Sequence, residues 1–193
     1  MRVPLDEYRR KRDARRTPEP VPETDPQAEG AGTRFVIQEH HARRLHWDVR
    51  LERDGVLASW AVPKGLPPDN DTVRLAVRTE DHPLEYLDFH GEIPAGEYGG
   101  GTMTIWDTGT YETEKWHHRE VAVVFHGERA RGRYLFLRTN RDGEKDAWLL
   151  RRSDRTPVGE EPLPLDARPM LAVPGPLPDG SFLQVGFGGR RVI

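Results

Sequence analysis

The 193-residue chain sets 29 Lys and Arg against 32 Asp and Glu, for a formal net charge of −3, and contains no cysteine. That length is most simply one domain with tails, and the charge argues against broad coating of nucleic acid, so any basic surface is local. The lack of cysteine excludes disulfides and thiolate metal sites; it leaves His nitrogen and carboxylate oxygen, donors that favour manganese, iron, zinc or cobalt over copper(I).

Residues 1–30 read as an N-terminal arm. Six basic residues fall between Arg9 and Arg16, followed by Pro18, Pro20, Pro22 and Pro26 interspersed with Glu19, Glu23, Asp25 and Glu29. The first piece can form a short helix; the second cannot, because each proline removes a donor and restrains the residue before it. Composition, with a mean hydropathy of −0.77 for the whole chain, favours a disordered arm. The alternative is an arm that folds over a site and contributes Arg or Asp to it.

Residues 31–155 are β-rich. Candidate strands are Arg34–His40, Leu45–Arg53, Val56–Val62, Val73–Thr79, Thr102–Asp107, Val121–Gly127, Arg133–Thr139 and Ala147–Arg152. Asp54-Gly55 is a type I′ hairpin signal, Asp107-Thr108-Gly109 and Arg141-Asp142-Gly143 are further turns, and Gly91 to Gly101 reads as a shaped loop. About eight short strands without helical periodicity predict a mainly β fold, an antiparallel barrel or sandwich with little helix. Residues 156–193 form a proline-rich tail ending in a strand-like segment. No apolar run approaches the ~20 residues that span a bilayer, and no signal-peptide core is present, so a soluble cytoplasmic protein is expected.

The chemistry concentrates in Leu45–Glu52. On a strand, His46, Asp48, Arg50 and Glu52 point one way and Trp47, Val49 and Leu51 the other, with alternate residues about 7 Å apart. Upstream, Phe35 and Ile37 alternate with Val36, Gln38 and His40, which puts His40 on the same polar face if the two segments pair. His40, His46 and Asp48 can then hold one metal ion and leave positions for water and substrate; the competing reading is a strand face with Asp48 paired to Arg50. Arg50 suits a bidentate grip on phosphate, and Lys64, Arg74 and Arg78 could enlarge that anion site. His82, titrating near neutrality at a strand end fixed by Pro83, could donate a proton or hold a phosphate oxygen, and Tyr86 could donate to the same group. His41, His90, His117, His118 and His126 read as surface or packed residues.

Several motifs together resemble the 3′-phosphoesterase module of bacterial DNA ligase D. They are Phe35 to His40, Leu45 to Glu52, Ser59 to Gly65, Arg74 to Val77, Glu80 to Tyr86 and Gly91 to Gly99, in that order, with the resemblance spanning roughly residues 8–153. Trp47 stands where that family usually has Tyr, on the core side. The resemblance implies a small β-barrel enzyme that heals DNA 3′ ends with manganese, cobalt or zinc being the alternatives. Such an enzyme removes 3′-phosphates and trims 3′-terminal ribonucleotides. It implies His40, His46 and Asp48 as metal ligands, Arg50 and His82 as the phosphate-binding and catalytic pair with Tyr86 nearby, and Gln38, Lys64 and Arg74 in support. It also matches Arg12, Asp13 and Glu19 in the arm, and so favours an arm folded over the site. Implied partners are DNA 3′ ends on a primer–template and separate ligase, polymerase and Ku-like proteins.

Arg168 to Ala172 and Phe182 to Arg191 resemble the opening of a ligase adenylation domain, with Gly186 where that family has its nucleotidyl-accepting lysine. Without an amine there no lysyl-adenylate can form, and ligase activity is not expected. Two other functions fit parts of the pattern. A non-haem iron oxygenase would use His46-x-Asp48 with a distal His, although the nearby His40 and Arg50 argue against it. A catalytically silent DNA-end-binding module that recruits repair partners is the other.

Overall fold

The computed structural model describes residues 5–24, 32–139 and 146–153. Asp54 and Gly55 take φ angles of 50° and 80°, the pair of positive values that a type I′ turn requires. The turn joins β2 (Leu45–Arg53) to β3 (Val56–Val62) and fixes their register, with Arg53 opposite Val56 and Arg50 opposite Ser59. β1 (Arg34–His41) pairs antiparallel with β2, setting Gln38 opposite Asp48 and His40 opposite His46. β4 (Val73–Arg78) follows β3 in the sheet. β5 (Gly91–Ile93), β6 (Gly101–His117), β7 (Glu120–Gly127), β8 (Arg131–Arg138) and β9 (Ala147–Arg152) complete it.

The strand order β1-β2-β3-β4-β9-β8-β7-β6 is closed by antiparallel pairing of β6 with β1, giving the expected eight-stranded barrel. β5 adds a short ninth strand on the opening residues of β6, within the stretch expected to be a loop. Among the described residues helix is confined to α1 (Asp6–Arg10) and a 3₁₀ turn, Leu84–Leu87. Among the described residues no helix is long and apolar enough to cross a membrane.

One expected turn is overturned. Asp107-Thr108-Gly109 lies inside β6, which runs through to His117 instead of ending at Asp107. Ile37 pairs with Asp107 but Gln38 with Ile105, so Trp106 is an inserted bulge residue that bends the strand from β1 towards β7. The Asp107 carboxylate accepts backbone N–H bonds from Thr108 (2.9 Å), Glu128 (3.1 Å), Arg129 (3.0 Å) and Ala130 (2.6 Å), and so holds the β7–β8 turn. Gly109 is small because a Cβ there would sit 2.6 Å from the His126 carbonyl oxygen.

Two apolar layers flank the β1–β2 wall. Phe35, Ile37, Val49, Leu51, Trp60, Phe125, Phe136 and Leu150 fill the barrel. On the outer side, Val36, Leu57, Ile93 and Met103 are covered by Leu5, Tyr8, Tyr86 and Leu87. Residues 5–24 are therefore not the disordered segment that composition favoured. Leu5 and Tyr8 are fully buried, the Tyr8 hydroxyl donates to the Pro20 carbonyl (2.8 Å), and Arg9 Nε donates to that of Pro22 (2.9 Å). The prolines carry carbonyls that receive these bonds, so they staple the arm where they cannot continue a helix. The Arg141-Asp142-Gly143 turn and the tail from 156 to 193 lie outside the described residues.

Candidate metal and phosphate site

Strand alternation builds the site on the outside of the barrel. On β1, even-numbered residues face outward, and so do His46, Asp48 and Arg50 on β2. His40 Nδ1 lies 3.1 Å from His46 Nε2 and 3.5 Å from Asp48 Oδ2, and His46 Nε2 is 3.7 Å from Asp48 Oδ1. Bonds of about 2.1 Å to one ion place neighbouring ligand atoms about 3.0–3.4 Å apart, so the three side chains fit a common divalent cation with small adjustment. His46 Nδ1 faces the Arg44 carbonyl at 2.9 Å; a proton held there leaves the Nε2 lone pair turned to the centre of the trio. Burial alone would raise the Asp48 carboxyl, but Arg50 and the two imidazoles beside it hold it below its ordinary range, ready to ligate as the anion.

Arg50 is 2% exposed and tied down on three sides. Nε donates to Gln38 Oε1 (2.7 Å), Nη1 to Ser59 Oγ (3.0 Å) and Nη2 to Asp48 Oδ2 (3.1 Å), while its carbon centre lies 4.7 Å over the Tyr86 ring. A guanidinium carries five N–H donors; these bonds leave one on each Nη, the two-pronged fork that suits a phosphate. Gln38 in turn donates to the backbone carbonyls of Tyr86 (3.1 Å) and Phe89 (2.7 Å), fastening the 3₁₀ turn to the wall.

His82 reaches the same face through an isolated bridge to Leu57 on β3. Its Nδ1 faces the Glu80 carbonyl at 2.9 Å and its Nε2 faces Arg12 Nη2 at 3.4 Å. Deep burial, then the charges of Arg50 and Arg12, push its pKa well below 6.5. The expectation that His82 titrates near neutrality is thereby overturned. It is a neutral imidazole with its proton on the Glu80 side and a lone pair on Nε2, an acceptor before it can be a donor. Tyr86 differs from expectation too. Its hydroxyl donates to Glu19 Oε1 at 2.5 Å, and burial pushes its phenol far up, so its proton is committed to the arm. The ring packs against His82 with centroids 4.8 Å apart and so spaces His82 from Arg50.

The arm contributes Arg12 and Glu19. Arg12 Nε donates to Glu19 Oε1 (2.7 Å) and Nη1 to Glu80 Oε1 (3.0 Å), and Glu19 Oε2 also accepts from Thr17 Oγ1 (2.7 Å). Lys11 Nζ adds a 2.9 Å bond to Glu80. Lys11, Arg12 and Arg50 thus offset the charges of Asp48, Glu19 and Glu80, with Lys11 shared with Glu7 at 2.9 Å. A dication entering with a phosphate dianion would add no net charge to this network, whereas either alone would add two charges of one sign.

Four expected residues are not joined to this cluster. Asp13 is exposed, and its side chain and carbonyl accept the N–H groups of Arg15 and Arg16 in a turn. Lys64 is exposed in the turn after β3, two residues beyond the partner of Trp47. Arg74 pairs with Leu150 and shares its inward orientation, so it faces the barrel interior. Arg78 is held by Asp81 and stacks on Trp60. Ser59 and Glu80 are among the members of the network that were not anticipated. Ser59 was legible, because a two-residue turn at Asp54-Gly55 counts back to place it opposite Arg50. Glu80 gave no comparable signal, since its burial depends on an arm 68 residues away.

The closed β-barrel thus carries a His-His-Asp trio that could hold a metal ion beside the buried Arg50 guanidinium. The family model of the DNA ligase D 3′-phosphoesterase domain matches residues 38–138, and this chain belongs to that family. It is 51% identical over 191 residues to the multifunctional non-homologous end joining protein LigD of Mycobacterium bovis, covering 96% of this chain and 24% of that protein. The protein of the same name from Mycolicibacterium smegmatis is 50% identical over 197 residues, covering 96% and 25%. That from Pseudomonas aeruginosa is 46% identical over 156 residues, covering 76% and 18%. The chain spans about a quarter or less of the length of these relatives.

Proposed function

We propose that this domain is a metal-dependent phosphoesterase that heals DNA 3′ ends, removing 3′-phosphates and trimming 3′-terminal ribonucleotides in break repair. The observation that carries this reading is the single wall on which a metal-ligand trio, a forked guanidinium and a neutral imidazole converge under the arm. His40, His46 and Asp48 would hold the ion, manganese by family resemblance with cobalt or zinc as alternatives. Such an ion supplies Lewis-acid polarisation of a phosphate oxygen and a bound water.

On this reading the two remaining Nη protons of Arg50 grip the phosphoryl oxygens and stabilise the charge that spreads over them as the O3′–phosphorus bond breaks. His82, whose Nε2 faces Arg12 Nη2 at 3.4 Å, assists proton transfer at the phosphate. Arg12, facing His82 and braced by Glu19 and Glu80, contributes a second positive charge at the phosphate. Tyr86 holds Arg50 and His82 apart at a fixed spacing. The healed end would serve a ligase or polymerase, with a Ku-like protein holding the break.

A primer–template with a labelled 3′-phosphate tests the proposal. Phosphate release is expected with manganese, is abolished by chelation, and falls at least a hundredfold in His40→Ala. Tight binding by the unmutated protein with no release in any divalent metal would replace this reading with that of an end-binding module.

A further inference from the structure

Four of the five tyrosines are spent inside the fold: Tyr8, Tyr86, Tyr111 and Tyr134 are at most 3% exposed, whereas Tyr98 keeps 47% of its surface in solvent. Tyr98 sits on the loop between β5 and β6, at the rim of the site. Its neighbour Gly99, at φ +79°, approaches the metal trio so closely that a Cβ there would lie 4.0 Å from His40 Cε1. On the other side, Lys11 Nζ and the Arg12 guanidinium lie 4.7 and 5.3 Å from the Tyr98 ring centroid, and Arg12 also faces His82. The loop therefore links His40, through Gly99, with the Lys11–Arg12 side of the site, where the Tyr98 ring lies.

It is also held in place. Lys11 donates to the Tyr98 hydroxyl at 3.3 Å, Arg16 pairs with Glu97 at 2.7 Å, and the loop is closed by Glu97 N–H to the Pro94 carbonyl (3.1 Å) and Gly100 N–H to that of Glu97 (3.1 Å). A fixed, half-exposed aromatic ring beside a phosphate grip presents a surface on which a base can stack with little ordering cost. Stacking is tolerant of sequence because every base has a π-face, as an enzyme acting on ends of any sequence needs.

We propose that Tyr98 is a substrate-positioning residue that stacks on the nucleobase of the 3′-terminal nucleotide whose phosphate lies at Arg50 and the metal trio. This rests on the end-healing reading above. The test uses two 3′-phosphorylated primer–templates, one ending in an ordinary nucleotide and one whose terminal nucleotide lacks its base, with equilibrium binding measured by fluorescence anisotropy and turnover by phosphate release. The parent protein binds the complete end about tenfold more tightly than the abasic end. Tyr98→Ala binds both alike, at the abasic level, and the change falls on KM rather than kcat; Tyr98→Phe, which keeps the ring and loses only the Lys11 bond, restores the preference. Tyr98→Leu keeps the bulk without the π-face and repeats the loss if the alanine variant folds poorly. Retention of the full preference in both Tyr98→Ala and Tyr98→Leu, or its absence in the parent, overturns the proposal. Absence of phosphate release by the parent would instead sink the phosphoesterase reading, while the binding comparison still decides the role of Tyr98.

Discussion

Glu19→Gln is the sharpest probe of how the arm is held. The Glu19 side chain is fully buried and accepts from Arg12 Nε (2.7 Å), Thr17 Oγ1 (2.7 Å) and the Tyr86 hydroxyl (2.5 Å). Glutamine has nearly the same shape but no charge, and one of its two positions becomes a donor. Thr17 can turn its hydroxyl to accept, and the remaining oxygen can still face Arg12 and Tyr86, so the main loss is the charge opposite a guanidinium that is itself 4% exposed. Hydrogen bonds to charged groups contribute about 1.5–3 kcal/mol and breaking a buried pair costs about 3–5 kcal/mol. Glu80 still faces Arg12 at 3.0 Å, which places the expected loss at about 2–4 kcal/mol. Because the arm lies outside the closed barrel, the loss appears as local opening of residues 5–24. Trypsin cleavage after the buried Arg12 follows the open population, and at one factor of ten per 1.4 kcal/mol it should accelerate about thirtyfold to a thousandfold. A rate within threefold of the parent would refute the claim that this carboxylate anchors the arm.

Three further outcomes are expected. His82 is neutral in the fold and its pKa lies below the ordinary value of about 6.5, so the unfolded chain binds the extra proton first; its contribution to stability is complete above about pH 6.5 and is lost as pH falls. Urea midpoints measured between pH 5 and 7 should therefore slope less in His82→Gln than in the parent. Arg50→Lys replaces a three-way brace by a single ammonium, leaving at least one of Gln38 Oε1, Ser59 Oγ and Asp48 Oδ2 without its donor; equilibrium urea unfolding should show a loss of about 2–4 kcal/mol, with phosphate release falling at least a hundredfold. Asp107→Asn turns one carboxylate oxygen into a donor facing backbone N–H groups, so thermal unfolding should show a stability loss of about 1–3 kcal/mol with no change in metal affinity.

Local rules made the wall legible. Period-two alternation in Leu45–Glu52 and the Asp54-Gly55 turn suffice to put His46, Asp48 and Arg50 on one face, and a short connection to β1 brings His40 beside them. What resisted reading depends on distant partners. Arg12 and Glu19 look like solvated charges until Glu80, His82 and Tyr86, 67–70 residues on, close around them. Arg74 was misplaced because its orientation follows its pairing with β9, the last strand in chain order. Asp107 and Gly109 carry turn chemistry, but one serves a different turn and the other a close strand approach, a distinction no nearest-neighbour rule can make.

The alternation of β1 has a consequence for how the site is assembled. Gln38 and His40 share their strand with Phe35 and Ile37, which are fully buried in the barrel. Sliding β1 by one residue against β2 would put the imidazole and amide into the apolar interior and the two hydrophobes outside, a mistake the core would not tolerate. Folding thus proofreads the site: a chain that has closed its barrel has, by the same pairing, already brought His40 face to face with His46 and Asp48.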